Sequence, residues 1–118
     1  MKQSLVAALA LLLQAGAFAA DPTAPAGSVE RGKELYLKNV CYSCHGTVGQ
    51  GGDRGAGPKI APDPFPYVAF EMQLRTPRGN MPRYPEAFVS RQDMADIYAY
   101  IASIQAGPKA DSLPLPKR

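Results

Sequence analysis

The clearest pattern of apolar positions lies near the carboxyl end of the chain. Its members recur at intervals of three and four residues, the spacing of one helix face: Met94, Ile97, Tyr98, Ile101 and Ile104. Ser90 and Asp93, just before this run, resemble a capping box in which Asp replaces the usual Glu. The pattern predicts a helix that begins after Ser90 and continues until Gly107 stops it.

A weaker pattern predicts a helix near residue 30. Ser28 can cap a helix that runs to about Asn39, and Glu30 would favour the positive end of its dipole. We expect its apolar side to consist of Val29, Leu35, Tyr36 and Val40. Gly32 costs such a helix ~1 kcal/mol relative to alanine, so it either weakens the helix or permits another segment to approach closely. We favour close approach.

A short middle helix is expected to begin near Tyr67, after Pro66, and to end before Pro77, with Phe70 and Leu74 on its inner face.

Residues 46–66 hold six glycines and four prolines, which excludes regular structure. A loop this long inside a small domain indicates that it wraps something. No segment shows the strict alternation of a strand, so the predicted fold class is all-α.

The first nineteen residues have the three parts of a secretory signal peptide. Lys2 precedes the apolar run of residues 5–13, and Ala17-Phe18-Ala19 forms a small-residue cleavage site. An uncleaved anchor is the less favoured alternative, because a stable span needs ~20 apolar residues. We therefore expect residues 1–19 to be removed and the mature protein to be periplasmic, without a membrane span.

Beyond this leader the chain divides into three parts. We interpret residues 20–27 as a flexible lead-in, residues 28–106 as one domain, and residues 107–118 as an extended proline-rich tail. The predicted mature chain has 99 residues, with 12 basic and 10 acidic side chains, and so weak a bias does not indicate nucleic-acid binding. The twelve prolines and eleven glycines of the whole chain suggest that a bound cofactor supplies part of the core.

The candidate chemistry lies in Cys41-Tyr42-Ser43-Cys44-His45, the C-x-x-C-H signature of covalent haem attachment. Two thiols three residues apart on one helical turn can reach the two vinyl groups of one porphyrin edge, and the next residue can direct its imidazole at the iron. A disulfide is the usual default for two exported cysteines, but the adjacent histidine argues against it. A structural zinc site needs four ligands and the chain offers three, while a thioredoxin-type pair needs a βαβ surround.

The second axial ligand is expected to be a methionine, because His45 is the chain's only histidine. Met72 and Met94 lie in predicted helices, where methionine usually packs in the core. Met81 instead stands in an irregular segment between Pro77 and Pro82. We predict that Met81 is the ligand.

These motifs together resemble those of class I c-type cytochromes, closest to the small bacterial monohaem members. The similarity covers residues 29–105 and rests on Gly32-x-x-x-Tyr36, Cys41-x-x-Cys44-His45, Gly57-Pro58, Met81-Pro82 and Ile97-Tyr-Ala-Tyr-Ile101.

The resemblance implies three main helices around one haem c, held by two thioether bonds. It also implies that Gly32 and Tyr36 cross Tyr100, and that the carbonyl of Pro58 orients His45. Unlike the mitochondrial proteins, this chain has a short middle region and no lysine-rich face.

Other signals leave alternatives open. A glycine-rich run at residues 52–57 lacks the lysine and the preceding strand of a phosphate-binding loop. Arg75, Arg78 and Arg83 could dock an acidic partner, pair with haem propionates or form a solvated rim. Tyr67 and Tyr84 could line the haem pocket or only cover it.

The predicted function is one-electron transfer between a donor dehydrogenase or respiratory complex and an acceptor oxidase or reductase, without catalysis by the chain itself. Two alternatives remain: a haem-based sensor of small gases, and an obligate cytochrome subunit of a dehydrogenase.

Overall fold

The computed structural model describes residues 21–114. The predicted signal peptide and residues 115–118 of the predicted tail lie outside the described residues. Within this range four α-helices follow one another: α1 (Val29–Lys38), α2 (Tyr42–His45), α3 (Tyr67–Arg75) and α4 (Arg91–Ser103). Short 3-10 turns occur at Asp53–Gly55 and Ala110–Ser112. No strand occurs in residues 21–114, and the predicted all-α class is confirmed.

The helix starts follow the predicted caps. The hydroxyl of Ser28 accepts a hydrogen bond from the N–H of Arg31 at the start of α1. At the start of α4, Ser90 and Asp93 each accept from the other's backbone N–H, which confirms the capping box. Because both caps are formed by residues close together in sequence, they could be identified without knowledge of the fold.

The contact between α1 and α4 organises the core. A Cβ at Gly32 would collide with the backbone carbonyl of Asp96 and with the Cβ of Tyr100, so the prediction of close approach is confirmed. One turn later the rings of Tyr36 and Tyr100 pack with their centroids 5.4 Å apart. Around this crossing lies a buried core of Tyr36, Ala61, Leu74, Val89, Met94, Ile97, Tyr100 and Ile101.

A buried carboxylate fastens the same two helices. Asp96 is 2% exposed, and it accepts hydrogen bonds from the N–H of Ser28 at 2.8 Å and from Gln92 at 3.0 Å. Arg31 forms ion pairs with Asp96 and, at 2.6 Å, with Asp93. Burial would raise the pKa of Asp96, but the hydrogen bonds and Arg31 outweigh burial and lower it.

Three expectations about the helices are wrong. Helix α4 ends at Ser103 rather than near Gly107, because the chain becomes extended at Ile104 (φ −74°, ψ 125°). Val29, at the first position of α1, is 38% exposed, and Val40, which is 50% exposed, follows the end of α1 and is not part of the helix. Met72 is 61% exposed and does not pack in the core.

The segment interpreted as a flexible lead-in makes specific contacts from Asp21 onward. The Asp21 carboxylate accepts a hydrogen bond from the N–H of Tyr67 at 2.5 Å, at the start of α3, and Ala26 accepts one from Gln92. Pro66, which directly precedes α3, provides no side-chain cap, so Asp21 caps the helix instead. Hydrogen bonds from Thr23 and from the Tyr67 N–H lower the pKa of Asp21 to about 2. This segment is therefore tied to the domain.

Candidate haem site

The end of α1 sets the position of the first cysteine. The N–H of Val40 bonds to the carbonyl of Leu37, and the N–H of Cys41 bonds to that of Tyr36, both at 3.1 Å. These are the two bonds of a Schellman motif, and Val40 occupies its left-handed position with φ 60°. Glycine usually fills that position, so this β-branched residue is strained there. Cys41 follows directly, and Cys44 and His45 lie on the single turn of α2.

One cavity of about 670 Å³ brings the predicted site residues together. Its walls include four of them: Cys41, Cys44, His45 and Met81. Pro58, the fifth, also lines it. The volume lies in the usual range for cofactor sites.

Apolar and aromatic side chains form much of the remaining wall of this cavity. They come from α1, α3 and α4 and from the loops between them: Tyr36, Ile60, Phe70, Leu74, Tyr84, Val89, Ile97 and Ile101. Leu74, Ile97 and Ile101 also belong to the buried core, so the core and the cavity wall share these residues.

The geometry of His45 fixes which ring nitrogen is available. Its Nδ1 lies 2.8 Å from the carbonyl oxygen of Pro58. A carbonyl only accepts hydrogen bonds, so Nδ1 carries the proton and donates it. The Nε2 lone pair is consequently the one free to bind a metal.

The backbone packs tightly beneath the cysteines. A Cβ at Gly57 would lie 2.6 Å from the carbonyl oxygen of Cys44, and one at Gly52 would also collide with that oxygen. Both glycines therefore allow the loop that carries Pro58 to reach the C-x-x-C-H turn. The long glycine-rich loop wraps this turn, as its length indicated.

No disulfide joins Cys41 and Cys44, and both side chains are partly buried. Burial raises the pKa of the Cys41 thiol, while a hydrogen bond with Tyr84 acts in the opposite direction. Burial and the neighbouring Cys41 raise the pKa of Tyr84 to about 12. Tyr84 lines the cavity and donates to the carbonyl of Asn39 at 3.1 Å, whereas Tyr67 packs outside it on Phe70.

Two residues of α3 contact the segment that carries Met81, and sequence reasoning did not find these contacts. The amide of Gln73 donates to the Met81 sulfur at 3.5 Å and to the carbonyl of Arg78 at 3.3 Å. Arg75 donates to the carbonyls of Tyr84 and Val89. No local sequence signal marks either residue, because their partners lie five to fourteen positions away.

The three arginines around Met81 differ in environment. Arg75 is 21% exposed and holds backbone carbonyls, whereas Arg78 and Arg83 are exposed. Arg78 lines the cavity, and Arg83 makes no side-chain hydrogen bond or ion pair with any residue in 21–114. A common role for all three is therefore not supported.

Comparison with known proteins identifies the family of this chain. Residues 27–101 match the family model described as cytochrome c oxidase, cbb3-type, subunit III. The chain belongs to this family. It is a c-type cytochrome, as its motifs predicted, and the predicted cytochrome c fold is confirmed.

Relatives of this cytochrome include the cytochrome c subunits of the cytochrome bc1 complex from Corynebacterium diphtheriae and Corynebacterium efficiens. They are 37% and 35% identical over 82 residues, which is 68% of this chain. The match spans only 28% and 27% of the two relatives' own lengths.

A solved structure is also similar to this cytochrome. One chain in the crystal structure of p-cresol methylhydroxylase with substrate bound aligns with a TM-score of 0.52 and 27% identity. The alignment covers 64% of this chain and 93% of that one.

A cytochrome c domain implies a haem c group with its iron and an electron-transfer function. The residues around the cavity fit such a group, since two thiols, an imidazole with a free Nε2 and a thioether share one largely apolar space. Within residues 21–114, moreover, no helix is both long and apolar enough to cross a bilayer.

Proposed function

We propose that this chain is a periplasmic one-electron carrier whose haem is bound through thioethers to Cys41 and Cys44. His45 and Met81 are its two axial ligands in this proposal, and Pro58 orients His45. The observation that carries the proposal is the convergence of these side chains on one cavity, with His45 Nδ1 already bonded to Pro58.

When bound, haem supplies a single-electron change at its iron. The protein's part is to exclude water, to fix both ligands and to set the reduction potential of the iron. The hydrogen bond from Nδ1 to Pro58 keeps the imidazole in one tautomer and one orientation. A methionine opposite histidine raises the potential. The apolar walls raise it further, because they disfavour the more highly charged oxidised state.

If His45 and Met81 both held the iron, no coordination position would remain open for a small gas. This argues for a carrier rather than a sensor of small gases, in which Met81 would be displaced or never bound. A single histidine also provides no distal base for peroxide chemistry.

The partners in this proposal are a donor dehydrogenase or respiratory complex and an acceptor oxidase or reductase. The named relatives are subunits of a cytochrome bc1 complex, which favours work within an assembly. Export to the periplasm rests on the signal-like sequence of residues 1–19.

Expression of the full chain in a bacterium with cytochrome c maturation machinery tests the covalent link. The mature polypeptide, recovered from the periplasm, should carry the added mass of one haem after denaturation. Cys41→Ser and Cys44→Ser should each leave only one thioether. A wild-type polypeptide without added mass would refute the proposal.

The axial ligand is tested by optical spectroscopy of the oxidised protein. The wild type should show the weak far-red band of sulfur-to-iron charge transfer, and Met81→Ala should abolish it. Met72→Ala is the matched control, because Met72 is 61% exposed and contributes little to the core. Ready binding of carbon monoxide to the reduced wild type would instead favour the gas sensor.

Size-exclusion chromatography of the native extract separates a free carrier from an obligate subunit. Haem that elutes only at the mass of the lone chain would exclude the obligate subunit.

A further inference from the structure

The segment between α3 and α4, residues 76–90, has little structure of its own. We call it the Met81 loop. Within residues 21–114, the backbone of residues 77–83 makes no hydrogen bond to another backbone group. The first such bond beyond Met81 runs from the N–H of Tyr84 to the carbonyl of Leu74, at 2.9 Å. Side-chain contacts must therefore contribute to the position of Met81. Gln73 donates to its sulfur, and Tyr84 of the loop donates to the carbonyl of Asn39.

Arg75, at the last position of α3, holds the returning half of this loop. Its Nη1 donates to the carbonyls of Tyr84 and Val89, at 2.7 Å each. Its Nη2 forms an ion pair with Glu86. One guanidinium thus joins three points of the loop between Met81 and α4.

The same contacts continue into α4. The second carboxylate oxygen of Glu86 accepts a hydrogen bond from the N–H of Arg91, the first residue of α4, at 3.1 Å. Arg75 therefore connects the end of α3 with the start of α4. Because Val89 is 1% exposed, its carbonyl would have little access to water if Arg75 were removed.

Arg75 does not belong to a solvated basic rim around the cavity. Its side chain is 21% exposed and its guanidinium is engaged by the protein's own carbonyls and by Glu86. Arg83, on the same loop, is exposed and has no such partner among residues 21–114. The two arginines form a natural test pair.

We infer that Arg75 is a positioning residue that holds the Met81 loop closed, so that the Met81 thioether stays directed into the haem cavity. The inference rests on the proposed function, because it requires Met81 to be the axial ligand. The planar fork of Arg75 holds two carbonyls and one carboxylate in a fixed geometry, whereas the ammonium of a lysine is a compact charge on a flexible stem and would hold them less firmly.

The test uses the holoprotein and three variants: Arg75→Ala, Arg75→Lys and, as control, Arg83→Ala. The far-red band of the oxidised protein is followed as the pH is raised, until another ligand displaces methionine. In Arg75→Ala, the pH at which half of the band is lost should fall by about one unit or more. Such a shift corresponds to tenfold weaker retention of Met81 as a ligand. Arg75→Lys should fall between this variant and the wild type, and Arg83→Ala should match the wild type.

Carbon monoxide binding to the reduced protein provides a second readout. The rate should rise about tenfold in Arg75→Ala, because loop opening precedes displacement of the thioether. A merely structural arginine would lower the melting temperature and leave both the midpoint and this rate unchanged at 25 °C.

The outcomes separate the two proposals. If the wild type shows no far-red band, Met81 ligation fails and the inference fails with it. If the wild type shows the band and Arg75→Ala keeps the wild-type midpoint and rate, only the Arg75 inference is refuted. If Arg75→Ala does not accumulate as folded protein, Arg75→Lys decides by the same criteria.

Discussion

Replacement of Gly32 by alanine is the sharpest test of the packing between α1 and α4. Helix propensity alone predicts that Gly32→Ala stabilises the protein by about 1 kcal/mol. The structure predicts the opposite sign, because the new Cβ would collide with the Asp96 carbonyl, which belongs to the backbone of α4. Relief of such a collision requires the helices to separate, and overpacking of this kind typically costs 1–3 kcal/mol. Because the collision involves two backbone atoms of Asp96, which cannot move aside as a flexible side chain could, we take the upper part of this range, about 2–3 kcal/mol. Subtraction of the gain of about 1 kcal/mol in helix propensity leaves a net destabilisation of about 1–2 kcal/mol.

The measurement is urea unfolding of the holoprotein, followed by circular dichroism, for wild type, Gly32→Ala and Lys33→Ala. Lys33 is the neighbouring residue on α1, is exposed and has no hydrogen-bond or ion-pair partner among residues 21–114, so its replacement should change stability by less than ~0.5 kcal/mol. An unchanged or increased stability of Gly32→Ala would refute the close crossing.

Asp96→Asn should lower the free energy of unfolding by about 2 kcal/mol, measured by urea titration, because the buried carboxylate loses charged hydrogen bonds. Since folding lowers the pKa of Asp96, its stabilisation is present above its usual pKa of 3.8 and is lost as the pH falls, so melting curves of the variant should depend less on pH in acid. Because folding lowers the pKa of Asp21 to about 2, protonation of this carboxylate should also reduce stability between about pH 4 and pH 2, and Asp21→Asn should remove this part of the pH dependence. Val40→Gly should stabilise the protein by roughly 0.5–1 kcal/mol in the same titration, because relief of left-handed strain exceeds the entropic cost of glycine. Gln73→Leu should lower the reduction potential by up to about 40 mV in a redox titration, because the Met81 sulfur loses a donor; an unchanged potential would contradict that contact.

The sequence predicted those features that depend on neighbouring residues or on one chemical motif. Ser28 and the pair Ser90–Asp93 cap helices through bonds that span three residues, so their function is visible locally. The cost of glycine within a helix pointed to the close approach at Gly32. The roles of Cys41, Cys44, His45, Pro58 and Met81 in haem binding stay predictions until holoprotein is measured.

Contacts between distant segments could not be predicted in the same way. Arg75 looked like one of three similar arginines, and only the path of the Met81 loop reveals that it holds two carbonyls. Asp21 lies 46 residues before the N–H that it caps at Tyr67. Met72 is apolar and lies within a helix, as core methionines usually do, yet its side chain is 61% exposed.

The Schellman turn after α1 constrains the length of the chain more than its composition. The backbone N–H of Cys41 is hydrogen-bonded to the carbonyl of Tyr36, so the direction of the two cysteine side chains depends on the rotation of the chain along α1. Each residue of a helix adds about 100° to that rotation. A one-residue insertion or deletion between these positions would rotate Cys41, Cys44 and His45 away from the cavity wall that carries Met81. The number of residues between Tyr36 and Cys41 is therefore more tightly constrained than the identity of their side chains.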